Sequence, residues 1–545
     1  MFELGLQQYF HSQLPECYVK AEAATFAELE LVYFNKCYAA SLDAHFPKDA
    51  QHLARLFSGQ NIPDDAKPIA QAYAGHQFGH FNPQLGDGRA MILGELLAID
   101  SSVHELDLKG SGPTPFSRGG DGKAALGPML REVLIAEAMH ALGVPTTRAL
   151  AVVTTSETVY RNPPQPGAVL ARTAESHIRI GTFQFFAARE QYDVVEKLVS
   201  FCLKRHYSNR DTSASNQNNI SEQTVGLTSR LISKNSADER STNTPAFYLL
   251  RLSIEAQAKL IAKWMGLGFI HGVMNTDNML IGAQTIDYGP CAFMDVYEPN
   301  TVFSSIDQNS RYAYSNQPGV AQWNLSRFAE TLLPLIHDNK EQAIELATKA
   351  VQDFIPQYEH YFRQEMAKKL GLATPKECAT DINQQLTNQQ DTDALIEQWL
   401  DILHKQKVDW TNAHFQLTCL LHGKKHEHQN DASEGNEKVF FELFEELDTV
   451  KAWLKNRAQF NEKLSAQGQD TCEPIKSMLS ANPAIIPRNH LVEEALQAAT
   501  HTGDLGLFNA LLTHLTRPFD KPTDAKYTQM GSDEFYQSFR TFCGT

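Results

Sequence analysis

Hydrophobic and polar positions alternate differently in the two halves of the chain. In the first two hundred residues, short apolar-rich runs at Arg89–Leu93, Glu105–Leu108 and Arg148–Val153 have the period and β-branched content of strands. Between them lie helical stretches, among them MLREVLIAEAMHAL (129–142), apolar and free of internal Gly or Pro. Beyond residue 300 the spacing is the 3.6-residue kind. It predicts helices at Gln322–Ile336, Lys340–Ala367, Asp393–Lys405, Phe440–Leu464 and Leu491–Leu515, after an earlier one at Ser253–Leu267. Two stretches break the pattern with Ser, Asn, Asp, Glu and Lys: residues 207–244 and Gly423–Lys438. Both read as solvated polar loops with little to bury. The predicted organisation is an α+β front region (1–206), the polar insertion (207–244), a short helix-plus-strand segment (245–300) and a mainly helical remainder (301–545).

Composition narrows the classes. Forty-two per cent of the 545 residues are hydrophobic, enough for a sizeable core. The balance of 48 Lys and Arg against 64 Asp and Glu, net -16, argues against a nucleic-acid partner, whose affinity would rest on basic contacts to phosphate. No apolar run approaches the roughly 18 residues of a membrane span. The N-terminal MFELGLQQYF has no basic stretch followed by an apolar one, so no secretory signal is expected. Eight scattered cysteines without CxxC pairs fit a reducing cytoplasm.

The candidate chemistry lies in five places along the first 290 residues. Gly86-Asp-Gly88-Arg89 is a Gly-rich turn ahead of a strand, suited to a phosphate but equally to a hairpin turn. Lys109 ends the strand-like ELDLK and Glu132 sits in the next helix. A kinase uses such a Lys–Glu pair to hold the phosphates of ATP, although many strands hold a Lys and many helices a Glu. Asp121 and Gly122 lie in a second Gly-rich loop that reads as a phosphate or ribose contact, or as an exposed turn. Arg172 and Arg179 are surface charges or, alternatively, phosphate ligands. The last and fullest pattern is HGVMNTDNMLI (271–281) followed by TIDYG (285–289). It follows the kinase order H-x-D-x-x-x-x-N, strand, D-F-G, with His271, Asn278 and Asp287 in register, the latter two suited to a divalent cation. The kinase catalytic Asp is replaced by Val273, and Asp277 is the nearest alternative base. From the residues alone the chain is a kinase-like nucleotide binder that is inactive, transfers the γ-phosphate, or does different chemistry.

At these residues the sequence resembles the selenoprotein O family, known as YdiU in bacteria, whose members are protein adenylyltransferases with a pseudokinase-like fold. The resemblance rests on YAGHQFGHFNPQLGDGRA (73–90), DLKGSGPTPFSRGGDGKAALGPMLRE (107–132), HGVMNTDNMLI (271–281), TIDYGP (285–290) and IPRNH (486–490). It implies a protein-kinase-like core with ATP bound flipped, and AMP passed to Ser, Thr or Tyr hydroxyls of client proteins. By the same likeness Gly86, Gly88, Arg89 and Lys109 would hold phosphates, with Asp121, Gly122, Arg172 and Arg179 also at the nucleotide. Glu132 would pair with Lys109, Asp277 would accept the proton, and Asn278 and Asp287 would carry Mg2+, with Mn2+ as a substitute. Family members may bear a selenocysteine near the C-terminus, and Cys543 stands at the matching position. It is either a free thiol on a frayed tail or a redox partner of Cys291, just after the Asp287-Tyr-Gly-Pro turn.

Overall fold

The computed structural model describes residues 2–161, 163–208, 244–373, 382–425, 430–466 and 474–542. Twelve strands are found there: β1 (Tyr18–Lys20), β2 (Glu30–Phe34), β3 (Ile69–Gln71), β4 (Gly75–Gln77), β5 (His80–Asn82), β6 (Ala90–Leu97), β7 (Val103–Lys109), β8 (Ala124–Ala125), β9 (Arg148–Val159), β10 (Gln165–Ala174), β11 (Phe269–Ile270) and β12 (Ala292–Phe293). Eight of them form one antiparallel sheet in the order β1-β3-β6-β7-β10-β9-β2, with β8 on β10. The pairs β4–β5 and β11–β12 stand apart from it.

The sheet has an apolar core on each face. Leu106 and Leu108 of β7 and Val169 and Ala171 of β10 face one core, closed by α1 (Ala50–Phe57) through Leu53 and Phe57. The alternate residues Glu105, Asp107 and Lys109 face the other way, because strand side chains alternate with period two. On that face lies α2 (Leu126–Ala141), buried almost all round, whose Leu130, Val133 and Leu134 belong to the larger core. That core continues without interruption into the helical half. The fold is a mixed α/β architecture with the front sheet and the rear helices sharing one interior.

Next in chain order come α3 (Ile180–Ala187) and α4 (Pro245–Leu267). The latter begins upstream of the predicted Ser253, because the Thr244 hydroxyl accepts from Phe247 N–H and Pro245 fits the first turn. It stops at Gly268, whose φ of 70° gives the left-handed cap. The rear helices are α5 (Gln317–Ile336), α6 (Lys340–Gln352), α7 (Phe354–Leu370), α8 (Ile382–Lys405), α9 (Trp410–Lys425), α10 (Asn430–Phe441), α11 (Leu447–Ala466), α12 (Pro474–Ala481), α13 (Asn489–His501) and α14 (Gly506–Leu515).

Several predicted elements differ. Lys340–Ala367 is two helices, because Pro356 in the first turn of α7 has no N–H for the Gln352 carbonyl. Leu491–Leu515 is divided at Gly503, which has φ of 70°. Phe440–Leu464 is interrupted between α10 and α11, where the Gln406 side-chain oxygen accepts from Glu445 and Glu446 N–H at 2.9 and 2.8 Å. Part of the predicted loop Gly423–Lys438 is helical, in α9 and α10: Ala, Glu and Lys are good helix formers whether or not they have anything to bury. Most of the 207–244 insertion lies outside the described residues.

Candidate active site

The site lies where β7, α2, β10, the start of α3 and the 271–289 segment converge. Lys109, at the end of β7, donates from Nζ to Glu132 of α2 and, at 2.6 Å, to Asp287 Oδ1. Arg172 stands opposite Asp107 in the β7–β10 register, beside a register shift between Ala171 and Arg172 on the β9 side. Its guanidinium bonds Asp107 at 2.8 Å, Asp287 at 2.8 Å and Glu132 at 3.2 Å. Two cations and three carboxylates thus form one network, buried except at Asp287, whose side chain is 22% exposed. Burial opposes the charge on Asp287, but Lys109, Arg172 and Arg179 outweigh it and hold its carboxyl well below the usual carboxylate range. Asp287 itself has φ of 63°, a left-handed conformation that Asp tolerates better than most residues and that these cations hold in place.

Arg179 caps the start of α3 and reaches the other half of the site. It donates to the Asp277 carbonyl at 3.0 Å and lies 3.6 Å from Asp87 and 3.9 Å from the second Asp287 oxygen. The Tyr73 ring lies 4.3 Å from its guanidinium carbon. Asp277 is buried. Its Oδ2 accepts from Gln77 Nε2 at 3.2 Å, whereas Oδ1 has no hydrogen-bond partner among the described residues. Burial raises this carboxyl to about 6, against the opposing pull of Arg179 and Gln77. Gly75 leaves the space it occupies: a Cβ there would fall 2.6 Å from Oδ1.

The loop before Asp277 is fixed by His271. Its ring stacks on Trp264 (centroids 5.3 Å, 22°), and Nε2–H donates to the Ile286 carbonyl at 2.9 Å. With Nδ1 facing Val273 N–H at 3.4 Å, the ring is the neutral Nε2–H tautomer, and burial lowers its basicity in agreement. His271 therefore ties the 271–278 loop to the residue before Asp287. Val273 is buried in the core. Asn278 donates from Nδ2 to the Val273 carbonyl at 3.0 Å, which turns its amide oxygen toward another role.

Other residues singled out in the sequence lie around this centre. Gly86 (φ 69°) and Gly88 are needed by the loop that covers them. A Cβ on Gly86 would fall 2.3 Å from the Phe116 ring, and one on Gly88 2.9 Å from the Phe116 carbonyl. Arg89, half-buried, leads into β6, and its carbonyl accepts from Gly110 N–H at 2.6 Å. Asp121 is partly exposed and takes both Arg161 guanidinium nitrogens at 2.9 and 3.0 Å, with no contact to the Lys109 network. Gly122 (φ 66°) packs on Gly112, where a Cβ would fall 2.1 Å away. Cys291 is buried; its thiol donates to the Tyr288 carbonyl at 3.1 Å and burial pushes it up to about 12. Cys543 lies outside the described residues, although Thr541 nearby donates to the Pro290 carbonyl at 2.7 Å.

Four participants were not picked out from the sequence. Asp107 had a usable signal, since period two places it beside Lys109 on one strand face. Gln77 ends the three-residue β4, too short for a period to show, and Tyr73 and Asp87 come from irregular segments whose inward direction no periodicity reveals.

Among the described residues no three His, Cys, Asp or Glu side chains cluster as a ready metal cage. Magnesium does not need one, since it is commonly held by one or two protein oxygens together with nucleotide phosphates. The Asn278 amide oxygen and Asp287 Oδ2 are oxygens of the kind such a cation takes.

A cluster of one Lys, two Arg and several carboxylates thus lies beside Asp277, an arrangement of charges compatible with a phosphate-handling transferase. The chain matches the family described as "Protein adenylyltransferase SelO" over residues 1–516. It is 44% identical over 535 residues to a "Protein nucleotidyltransferase YdiU" of Chromobacterium violaceum, covering 98% of this chain and 100% of that one. Proteins of the same name from Rhizobium johnstonii (43%, 98% and 96% covered) and Bacillus cereus (43%, 99% and 96%) are similar throughout. The chain belongs to the SelO family and is a protein adenylyltransferase. Among the described residues no helix is long and apolar enough to cross a membrane.

Proposed function

We propose that the protein moves AMP from ATP to a Ser, Thr or Tyr hydroxyl of client proteins, in a kinase-like core where ATP lies flipped relative to kinases. The observation that carries this reading is the unpartnered Oδ1 of Asp277, raised toward neutral pH and held beside Arg179 and Asp287. The client oxygen attacks the α-phosphorus as its proton passes to Asp277 Oδ1. The bond from the α-phosphorus to the bridging oxygen breaks, and pyrophosphate leaves. Such a positioned base contributes on the order of 10²–10⁴ in rate. Lys109, Arg172 and Arg179 are preorganised cations for charge growing on the α-phosphate and pyrophosphate, fixed before substrate arrives. Asn278 and Asp287 would hold Mg2+ or Mn2+, which when bound neutralises phosphate charge.

Arg172 of β10 and Arg179 at the start of α3 bring to this site cations that kinases, which hold the phosphates with the strand Lys and a Gly-rich loop, do not use, and this favours the flipped orientation. Burial of Val273 speaks against γ-phosphate transfer of the usual kind, because no carboxylate stands at the kinase base position. We place this work in the cytoplasm, consistent with buried thiols at Cys17, Cys202 and Cys291.

The test is incubation with Mg2+ and α- or γ-labelled ATP, in parallel with Asp287→Ala. Label entering protein only from the α position, and lost in the variant, is the expected result. Label only from the γ position would make the protein a kinase. ATP binding without transfer of either label would make it a nucleotide-dependent scaffold.

A further inference from the structure

Outside the site, a pair of adjoining cavities of about 710 and 700 Å³ share Gly319 and Trp323 of α5. The β4–β5 hairpin reaches one of them through Phe78 at its turn. Its edge nearest the site is tied to the 275–277 loop, with His76 N–H donating to Thr276 Oγ1 at 2.6 Å and Phe78 N–H to Asn275 Oδ1 at 3.2 Å. Adjacent residues of β4 serve the two places: Gln77 bonds the Asp277 carboxylate, and the His76 ring meets Trp323 edge-on at 5.3 Å. The hairpin turns on Phe78 and Gly79, both with positive φ (51° and 87°). That conformation is unfavourable for a bulky Phe, and packing on Tyr312 at 5.3 Å maintains it. The catalytic loop and the groove are thus two sides of one rigid, strained hairpin.

The groove has the composition of an interaction surface. Exposed Ile306 and Ile344 line it, and the exposed Phe81 packs on His76 at 4.9 Å, on the ring that meets Trp323. Trp323 lies between two arginines, with Arg311 4.7 Å and Arg327 5.2 Å from its ring centre. Aromatic residues and Arg in a partly desolvated setting are the usual anchors of protein contacts. The two arginines differ in one respect. Arg327 is neutralised by Glu330 at 2.7 Å, while Arg311 takes part in no ion pair among the described residues, and its Nε is buried without a partner. The nearby Asp307 makes no ion pair with it, and its carboxylate oxygens accept from the backbone N–H groups of Arg311 and Tyr312 at 2.9 and 2.8 Å. On a chain of net charge -16, Arg311 is thus a guanidinium without an ion pair among the described residues, lining a groove of mixed polar and apolar residues beside the 275–277 loop.

We propose that this groove docks an extended segment of the client polypeptide and that Arg311 receives an acidic client side chain there. This rests on the AMP-transfer reading for the chemistry at Asp277, but the docking itself does not. The path from Asp277 to the groove crosses the hairpin tip, where Gly79 has no side chain and a Cβ would lie 4.0 Å from the Arg311 guanidinium. Crossing one strand and its side chains is roughly 10 Å, or about three extended residues at about 3.3 Å each. The acidic residue is therefore expected about three positions from the modified hydroxyl.

The test uses nine-residue peptides with a central Ser, Thr or Tyr and with Glu, Ala or Lys placed one to four positions away on either side. Two readouts are taken on the full chain: binding by fluorescence anisotropy, and AMP incorporation from α-labelled ATP. Glu peptides are expected to bind about tenfold better than Lys peptides, corresponding to about 1.4 kcal/mol. Arg311→Glu should reverse that order, and Trp323→Ala should weaken all peptides, with ATP affinity unchanged in both variants. An unchanged order in Arg311→Glu, or the absence of any charge preference in the parent protein, overturns the proposal. So does loss of ATP affinity in Trp323→Ala, which would make the groove part of the nucleotide site. Charge-ordered binding without label would leave the docking groove standing and remove the transfer chemistry; label without charge order would do the reverse.

Discussion

In the proposed reaction Asp277 acts through what surrounds each of its two oxygens. One is oriented by Gln77 and the other is left open, and the carboxyl stays in place only because residue 75 has no side chain. Asp277→Asn keeps the shape and removes the base. AMP transfer should fall by about 10²-fold or more while ATP affinity, measured by calorimetry, is kept. Gly75→Ala is the less obvious test. Its Cβ would meet Asp277 Oδ1 at 2.6 Å and the Leu85 side chain at 2.9 Å, so the carboxylate must move. We expect kcat to fall at least tenfold, with thermal unfolding showing a destabilisation of about 1–3 kcal/mol. If kcat is unchanged, the position of Oδ1 is not what the reaction uses. This dependence was not legible in the sequence. Lys109, Glu132, Asn278 and Asp287 stand out in a linear reading because the roles proposed for them depend on residue type and spacing. Gly75 and Gln77 matter through a contact made across two hundred residues, which no local pattern records.

At the level of elements, periodicity located most helices and strands but not their interruptions. Apolar spacing runs on through Asp353 and Gly503, where a missing N–H or a left-handed residue ends the helix without disturbing the pattern. Element packing also creates a buried charge that the sequence does not announce. Lys369 of α7 is buried against α12, with Nζ donating to the Ala481 carbonyl at the end of that helix at 3.1 Å. Burial lowers its ammonium to about 7, with Glu365 opposing. For a lysine whose folded value is depressed, the unfolded chain binds the proton more readily. Stability is therefore reduced below the ordinary lysine value, most fully at and below about pH 7, and recovers as pH rises toward about 10.5. Lys369→Met should be more stable than the parent by on the order of 2 kcal/mol at pH 7. The difference should shrink steadily toward pH 10 in denaturant titrations across that range. A gap that does not change with pH would mean that the ammonium stays charged in the folded protein.

Over the whole molecule, the segment that follows Asp287 is joined to the rear helices and the C-terminal segment by a charge network centred on Arg488, in the IPRNH segment. Nothing in that pentapeptide foretells the role, because its partners are 193 and 79 residues away. The guanidinium is fully buried and meets Asp295, just after β12, at 2.5 Å and Asp409, just before α9, at 2.6 Å. It also donates to the Thr528 carbonyl at 2.9 Å. Asp295 in turn accepts from Gly531 N–H at 3.0 Å and the Tyr536 hydroxyl at 2.6 Å, so the C-terminal segment is held by the same carboxylate. The neighbouring Asn489 donates to the Phe293 carbonyl at 2.7 Å and accepts from Phe293 N–H at 3.3 Å, six residues past Asp287. Removing the cation leaves two carboxylates buried together without compensation, which in a protein interior costs about 3–5 kcal/mol. Burial already raises Asp409, so it is the one that would take up a proton. Arg488→Met should therefore lower the melting temperature, and more so at pH 8 than at pH 5, where the released carboxylate is protonated at less cost. Adding Asp409→Asn to Arg488→Met removes one of the two stranded charges and should restore part of the loss. If the double variant is no more stable than the single one, Arg488 acts through packing and not through charge. In scanning calorimetry the parent should unfold with its halves coupled, and Arg488→Met should separate an earlier transition of the rear helices from that of the front sheet. A single transition merely shifted to lower temperature would show that the shared apolar core alone keeps the two regions cooperative.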